Sequence, residues 1–397
     1  VKKLILLILL NFTVFFNSYS LESLSLEESL INAAKKGELE TIKELINSGV
    51  NIRYKDQRGL NALHYAAINN KANIIELLVL SGIHINSTFH HGFGALWQTP
   101  LTIAAKENNI DVVRALLDIY NKKVDLTNKS NVELIENEKR QALRYAIENN
   151  NFEFVRFLLE PSANGEKMEV NYVWEDGQTL LMHAVARDKI DIVGLLIESG
   201  ADVNYQSREG ITALMVAVSE GLYDRAELLI NAGADVNLKT SYRSRYPGST
   251  ALLAAAIVGS GTKFIELLIA NGADINAQDD KGMTAIMYSV TKKHLIRLTR
   301  FLIEKSANLL LKNKDGFTAY DLARQLLDSG IGSSTVSAQA KDKAKAVVDL
   351  LETETKKAVE AKVLSEERME AEAKAEAEAE KLRNFSYSPF GILKKDF

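Results

Sequence analysis

One phrase recurs along this chain between Glu28 and Ala323: a small residue or Thr, an Ala-Leu pair, an alanine-rich turn, then an Ile/Val-x-x-Leu-Leu run that ends near a glycine. Self-similarity at a period of about 20 to 50 residues belongs to stacked units that cover one another's apolar faces, not to one closed globule. Aligned on the Thr-like position, the copies fall at Glu28, Asn61, Thr99, Gln141, Thr179, Thr212, Thr250, Thr284 and Thr318, in steps of 33, 38, 42, 38, 33, 38, 34 and 34 residues. The shortest step is the period, and the longer ones are the same unit carrying insertions.

A second apolar segment follows each anchor, as at Ile74 and Ile75, Val112 and Val113, Phe154 and Val155, Ile192 and Val193. The i, i+3, i+4 spacing of Ile192, Leu195 and Leu196 describes one face of a helix, so each unit is predicted to be two short antiparallel helices. Gly49, Gly82, Gly200, Gly233 and Gly272 come directly after the last apolar turn, where a left-handed residue best closes a helix. Beyond them stand Ala-Asp-Val-Asn at 201–204 and 234–237 and Ala-Asp-Ile-Asn at 273–276, then a polar stretch and Gly210 or Gly282. Such Asn, Asp and Gly chemistry makes tight turns and predicts a hairpin-like finger joining one unit to the next.

The segments Gly210 to Leu214, Gly177 to Leu181 and Gly316 to Tyr320, with the Gly-Ala-Asp-Val/Ile-Asn phrases, resemble ankyrin repeats over roughly residues 27 to 352. The resemblance implies an all-α solenoid of about nine stacked antiparallel helix pairs with hairpin-like fingers. It also implies a concave side along which fingers and first helices bind a protein. The departures are clear. His64 alone supplies the family's histidine, with Thr102, Arg144, Met182, Met215, Leu253, Met287 and Asp321 in its place elsewhere, and the repeat anchored at Gln141 has no closing glycine.

The ends follow a different grammar. Lys2 and Lys3 precede an apolar run from Leu4 to Phe16 and then Asn17-Ser18-Tyr19-Ser20, the pattern of a cleavable secretory leader over residues 1–20. The run is short for a membrane span, which needs about 20 apolar residues. An exported chain of bacterial type, destined for the periplasm, envelope or medium, is the expectation. The repeats are expected over 21–352, the last of them split by an inserted loop near 328–343, followed by a charged Ala/Glu-rich helix over 353–383 and an aromatic tail over 384–397. A continuous helix from about Gln339 to Arg383 is expected to be solvated, because Val348, Leu351, Val359 and Val363 sustain no clean heptad; coiled-coil pairing is the weaker alternative.

Chemistry is scarce. The chain has no cysteine, so disulfides and thiolate chemistry do not arise. Its net charge of −4 lacks the concentrated basic face that nucleic acid requires, the one local candidate being Lys239 to Arg245. His64 reads as a turn stabiliser and His183 as a core residue. His84, His90 and His91 lack further ligands at fixed spacing for a metal. Gly259 to Lys263 resembles a phosphate loop but lacks its spacing and follows a helix, so it reads as the turn between two helices. Asp202, Asp235 and Asp274 recur at one turn position, which points to backbone capping rather than acid catalysis. No enzyme, cofactor or metal is expected.

What remains is surface. Four linkers are lengthened: His84 to Gln98, Asp125 to Arg140, Glu160 to Asp176, and Leu238 to Ser249. Aromatic and arginine residues dominate interface energetics, so the candidate partner-binding residues are Phe93, Trp97, Trp174, Tyr205, Tyr242, Arg243, Arg245 and Tyr246. The stretch from Tyr242 to Tyr246 is the strongest of these, while Trp97 and Trp174 could equally staple their own loops. A binding module is the first expectation, an envelope tether using the C-terminal helix and tail the second, and a repeat-targeted effector enzyme the third.

Overall fold

The computed structural model describes residues 25–89, 98–123, 129–161, 167–174, 176–187, 189–291, 295–331 and 338–386. The expected leader and the tail beyond Ser386 lie outside them. The described residues are helical, with an isolated antiparallel bridge between Phe89 and Gln98, further bridge residues at Val173 and Thr179, and no strands. No helix among them is long and apolar enough to cross a membrane.

The chain divides into two compact units, one covering 1–173 and 189–201 and the other 174–188 and 202–397. The first unit holds α1 (Leu26–Lys36), α2 (Leu39–Asn47), α3 (Ala62–Ile68), α4 (Ile75–Leu80), α5 (Pro100–Lys106), α6 (Ile110–Lys123), α7 (Lys129–Glu148), α8 (Phe152–Leu159) and α10 (Ile190–Glu198). The second holds α9 (Leu180–Ala186), α11 (Ala213–Ser219), α12 (Tyr223–Asn231), α13 (Ala251–Val258), α14 (Thr262–Ala270), α15 (Ala285–Thr291), α16 (Leu295–Glu304), α17 (Ala319–Ile331) and α18 (Ala338–Ser386).

Within the first unit α1 and α2, α3 and α4, α5 and α6, and α7 and α8 pair, while α1, α3, α5 and α7 stack in sequence and α10 packs on α8. Within the second, α9, α11, α13, α15 and α17 stack, and α11 with α12, α13 with α14, α15 with α16 and α17 with α18 form the pairs. The stacked helices are lined with buried alanines such as Ala66, Ala67, Ala104, Ala217, Ala255 and Ala256. Short side chains let neighbouring backbones approach, and the branched residues of the paired helices, Ile75, Val113, Val155, Leu229 and Ile265 among them, fill the space between.

The recurring Thr turns out to be a helix N-cap. Asn61, Thr99, Thr179, Thr212, Thr250, Thr284 and Thr318 each accept the backbone N–H three residues on, at 3.1 to 3.4 Å. This satisfies one of the donors that a helix start leaves over. Two anchors do not cap. Glu28 is the third residue of α1, whose cap is Ser25 in a reciprocal capping box. Gln141 lies inside α7, because the stretch read as a lengthened linker from Asp125 is helical from Lys129 onward. The reason is compositional: 129–140 contains neither Gly nor Pro, so nothing stops a helix there.

The C-terminal end also differs from expectation. Residues 328–331 complete α17 and 338–343 open α18, so only 332–337, outside the described residues, lie between two helices where a loop over 328–343 was expected. The boundary drawn at 353 is no structural break either, since α18 is continuous through Ser386. Its first turns serve as the second helix of the last pair, burying Val347, Val348 and Leu351, with α16 and α17 packed against α18. From Val359 to Glu380 every side chain is exposed.

Candidate partner-binding surface

Fingers in the second unit are tied to each other by backbone and by asparagine. The Asp202, Asp235 and Asp274 carboxylates accept the N–H groups of Asn204, Asn237 and Asn276 at 2.8, 2.8 and 2.9 Å, which fixes each turn. Asn204 then donates to the Gly233 carbonyl at 3.1 Å and accepts from the Asp235 N–H at 2.7 Å, and Asn237 does the same with Gly272 and Asp274 at 2.9 and 3.0 Å. At the tips, Ser241 N–H donates to the Glu209 carbonyl, Asp280 N–H to that of Pro247 and Lys314 N–H to that of Lys281, at 2.8, 3.0 and 2.9 Å. So close is this approach that a Cβ on Gly210, whose φ is +73°, would lie 2.4 Å from the Ser241 nitrogen.

On this base stands the longest finger of the unit. Thr240 N–H donates to the Ser249 carbonyl and Gly248 N–H to that of Thr240, at 2.9 and 3.0 Å. The Thr240 hydroxyl donates to the Tyr246 carbonyl at 2.6 Å and accepts the Ser249 N–H at 2.9 Å. Tyr246 is half-buried, its ring edge-on to Tyr288 at 6.4 Å. Tyr288 in turn donates its hydroxyl to Asp279; burial first, then that carboxylate, push its pKa up. The tip is different. Tyr242 is 78% exposed, and the Arg243 guanidinium lies 5.5 Å from the Tyr242 ring centre with its Nε donating to the phenol oxygen at 3.1 Å. Arg245 lies 5.5 Å from the Tyr246 ring. Loop and rings therefore hold two guanidinium groups in place, exposed, over a pinned backbone.

The sequence singled out Lys239 to Arg245 as an isolated basic stretch, but the stacking gives it company. Arg208 and Lys281 stand on the fingers before and after it, and Lys314 on the one beyond, all exposed. Their signal was present: Arg208 and Lys314 sit two places, and Lys281 one place, before the glycine that opens the next repeat. Glu209, Asp280 and Asp315 share these tips, so the balance is basic without being uniformly so.

The other candidates fall elsewhere. Phe93 and Trp97 lie outside the described residues, as do His90 and His91; Phe89 and Gln98 exchange N–H to carbonyl bonds of 3.2 and 3.3 Å. Trp174 is 6% exposed. Its backbone closes a tight turn with Gln178 and Gly177 at 3.0 and 2.8 Å, so it is a staple of its own loop and is corrected as a partner-facing residue. Tyr205 is half-buried in its finger. Tyr172, from the same linker as Trp174, is covered by the Arg140 guanidinium at 4.5 Å, and Arg140 also pairs with Glu169 at 3.0 Å.

Several polar side chains inside the two units have structural partners. His64 is fully buried in a capping box with Asn61, and its Nε2 lies 2.9 Å from the Ser87 carbonyl. Burial lowers its pKa to about 4, the Ser87 bond opposing, so the ring is neutral at physiological pH. His183 Nε2 lies 3.3 Å from the Asp176 carboxylate. Gly259 to Lys263 forms the turn from α13 into α14, with the Ser260 hydroxyl donating to the Val218 carbonyl at 2.8 Å. Glu138 was missed by sequence reasoning. It is 4% exposed on the helical extension of α7 and accepts the Tyr120 hydroxyl at 2.9 Å.

Comparison with known proteins agrees with this architecture. The family model for ankyrin repeats in three copies matches residues 9–89, 89–171, 164–240 and 248–329. The chain is 27% identical over 269 residues to the ankyrin repeat protein nuc-2 of Neurospora crassa, covering 67% of this chain and 23% of that protein. It is 30% identical over 172 residues to the ankyrin repeat protein FPV034 of fowlpox virus, covering 43% and 30%. It is 28% identical over 158 residues to a palmitoyltransferase of Danio rerio, ZDHHC13, covering 40% and 22%. In each case the match spans less than a third of the relative's length. Among solved structures, the ankyrin repeat domain of Bcl-3, a member of the IkappaB protein family, superposes with a TM-score of 0.50 at 26% identity, over 61% of this chain and 97% of that one.

Proposed function

The chain belongs to the ankyrin-repeat family, and from that premise we propose that it is a non-enzymatic binding module that grips a protein partner through the finger tips of its second unit. The observation that carries this reading is the tip at Tyr242: a large aromatic ring, 78% exposed, beside two arginines on a loop already pinned at its base. Aromatic and arginine side chains supply most interface energy, and a loop ordered before binding gives up less conformational freedom when the partner arrives. The repeats supply a scaffold and the tip supplies recognition, a division of labour in which the fold itself carries no reaction. Export also belongs to this proposal, supported by the basic and apolar pattern of residues 2–16; finding the chain in the cytoplasmic fraction of its own cell overturns that part.

A photo-crosslinking amino acid at position 242, with a control at the exposed Glu227 of α12, tests the surface directly. The expected result is a protein adduct at 242 that is absent at 227 and lost when Arg243 and Arg245 become alanine. Equal adducts at the two positions, or none at 242, overturn the reading.

A further inference from the structure

We propose that the basic finger tips of the second unit take the acidic distal stretch of α18 from a second copy of this chain, joining copies head to tail. This rests on the reading of those tips as a binding surface and names what they bind.

The two surfaces are complementary and both are open. From Glu366 to Glu380 the helix carries seven glutamates against Arg368 and Lys374, and Arg368 is already engaged by Glu372 at 2.9 Å. Glu372, Glu376 and Glu380 follow at i, i+4 along one face, about 6 Å apart. Like charges at that spacing repel, so a cationic surface laid along the stripe relieves a repulsion that the free helix keeps. The fingers present such a surface: Arg243 and Arg245 are oriented by Tyr242 and Tyr246, with Lys281 on the next finger and Lys314 on the one after.

Geometry makes the contact one between copies. α18 is held at its start by Val347, Val348 and Leu351 and runs unbroken through Ser386, about 73 Å at 1.5 Å per residue. None of its side chains from Val359 to Glu380 is covered by the chain that carries it. Pairing of two such helices is a poorer solution, because Val359, Val363, Leu364 and Met369 form no heptad seam and the acidic stripes would face each other. A tip that binds another copy's helix leaves its own helix free, so the interface is heterologous and adds further copies.

Sedimentation velocity of the purified chain over a range of concentrations tests this. Association beyond the monomer is expected at low salt, weakened at least about tenfold at about 0.3 M salt, where surface charges are screened over a few ångströms. Removing residues 359–397, which leaves every buried α18 side chain in place, abolishes it. Two charge-reversed chains complete the test: one carries Arg243→Glu with Arg245→Glu, the other Glu372→Lys, Glu376→Lys and Glu380→Lys. Each alone is expected to stay monomeric, and the pair to associate when mixed, which also shows that both are folded. A wild-type chain that is monomeric at low salt, association that survives the truncation, or a mixture that stays apart overturns the inference. The crosslink at position 242 reads the tip separately, since an adduct with a different protein alongside a monomeric chain removes this inference and leaves the proposed function standing.

Discussion

Replacing Glu138 with Gln tests whether a charge is being held out of water in the first unit. The Glu138 carboxyl sits between α6 and α7 and accepts the Tyr120 hydroxyl at 2.9 Å. Burial raises its pKa from 4.5 to about 7, against hydrogen bonds from Tyr120 and Thr99 that pull it down. A folded-state pKa above the unfolded one means that the folded protein binds the proton more tightly. The contribution is therefore fully present below about pH 4.5 and is lost as pH rises through about 7. At about 1.4 kcal/mol per pH unit, the ionised carboxyl costs the fold on the order of 3 kcal/mol at pH 8. Gln keeps an acceptor for the Tyr120 hydroxyl and carries no charge at any pH. Hydrogen exchange of the buried α7 amides, Leu143 to Ile147, compares the two proteins at the same pH, so intrinsic exchange rates cancel. At pH 8 the variant should be protected about 100- to 300-fold more strongly, and the advantage should shrink towards nothing at pH 4.5. Equal protection at pH 8, or a variant weaker by the same factor at both pH values, refutes the argument that a buried charge is the cost.

Two further outcomes follow from the same structure. His64, with its pKa lowered to about 4 by burial, contributes stability that is present above about pH 6.5 and lost as pH falls through 4, and its ring carbon shifts should stay constant between pH 8 and about 5.5; a midpoint near 6.5 in the native protein contradicts the buried position. Gly210→Ala should destabilise the second unit by more than the ~1 to 2 kcal/mol of a left-handed alanine, because its Cβ meets the Ser241 nitrogen at 2.4 Å, whereas Gly233→Ala, at φ +92° with open space around it, should cost only the backbone strain; equal losses in urea unfolding refute the close-approach argument.

Much of this fold was legible because the repeat writes its own punctuation. Thr at the anchor and glycine after the second helix are set by local backbone chemistry, capping and left-handed closure, so they survive where the residues between them drift. Spacing alone does not report how far a helix runs past its anchor. Glu28 aligns with the caps yet lies a turn inside α1, which Ser25 opens three residues earlier, and Gln141 lies deep in α7, because nothing in 129–140 stops a helix. The same blindness turned residues 328–343 into a loop on the strength of Gly330, Gly332 and the serines, although helical structure runs to Ile331 and resumes at Ala338. For the candidate surface, sequence reasoning found the tip but not its neighbours. Arg208, Lys281 and Lys314 are far apart in the chain, and only the bonds between successive fingers bring their positions into one row. Trp174 was a matter of burial, which a side chain's type does not decide.

The paired bonds between Thr240, Gly248 and Ser249 have a consequence for how this protein could be altered. They close the loop below residues 242–245, and the neighbouring fingers meet that closure at Ser241 and Pro247 through main-chain atoms. The four residues 242–245, above the Ser241 and Pro247 peptide groups that tie this finger to its neighbours, thus behave as an exchangeable cartridge. New specificities could be written there by library selection while the pitch of the stack, set by peptide groups beneath, stays the same.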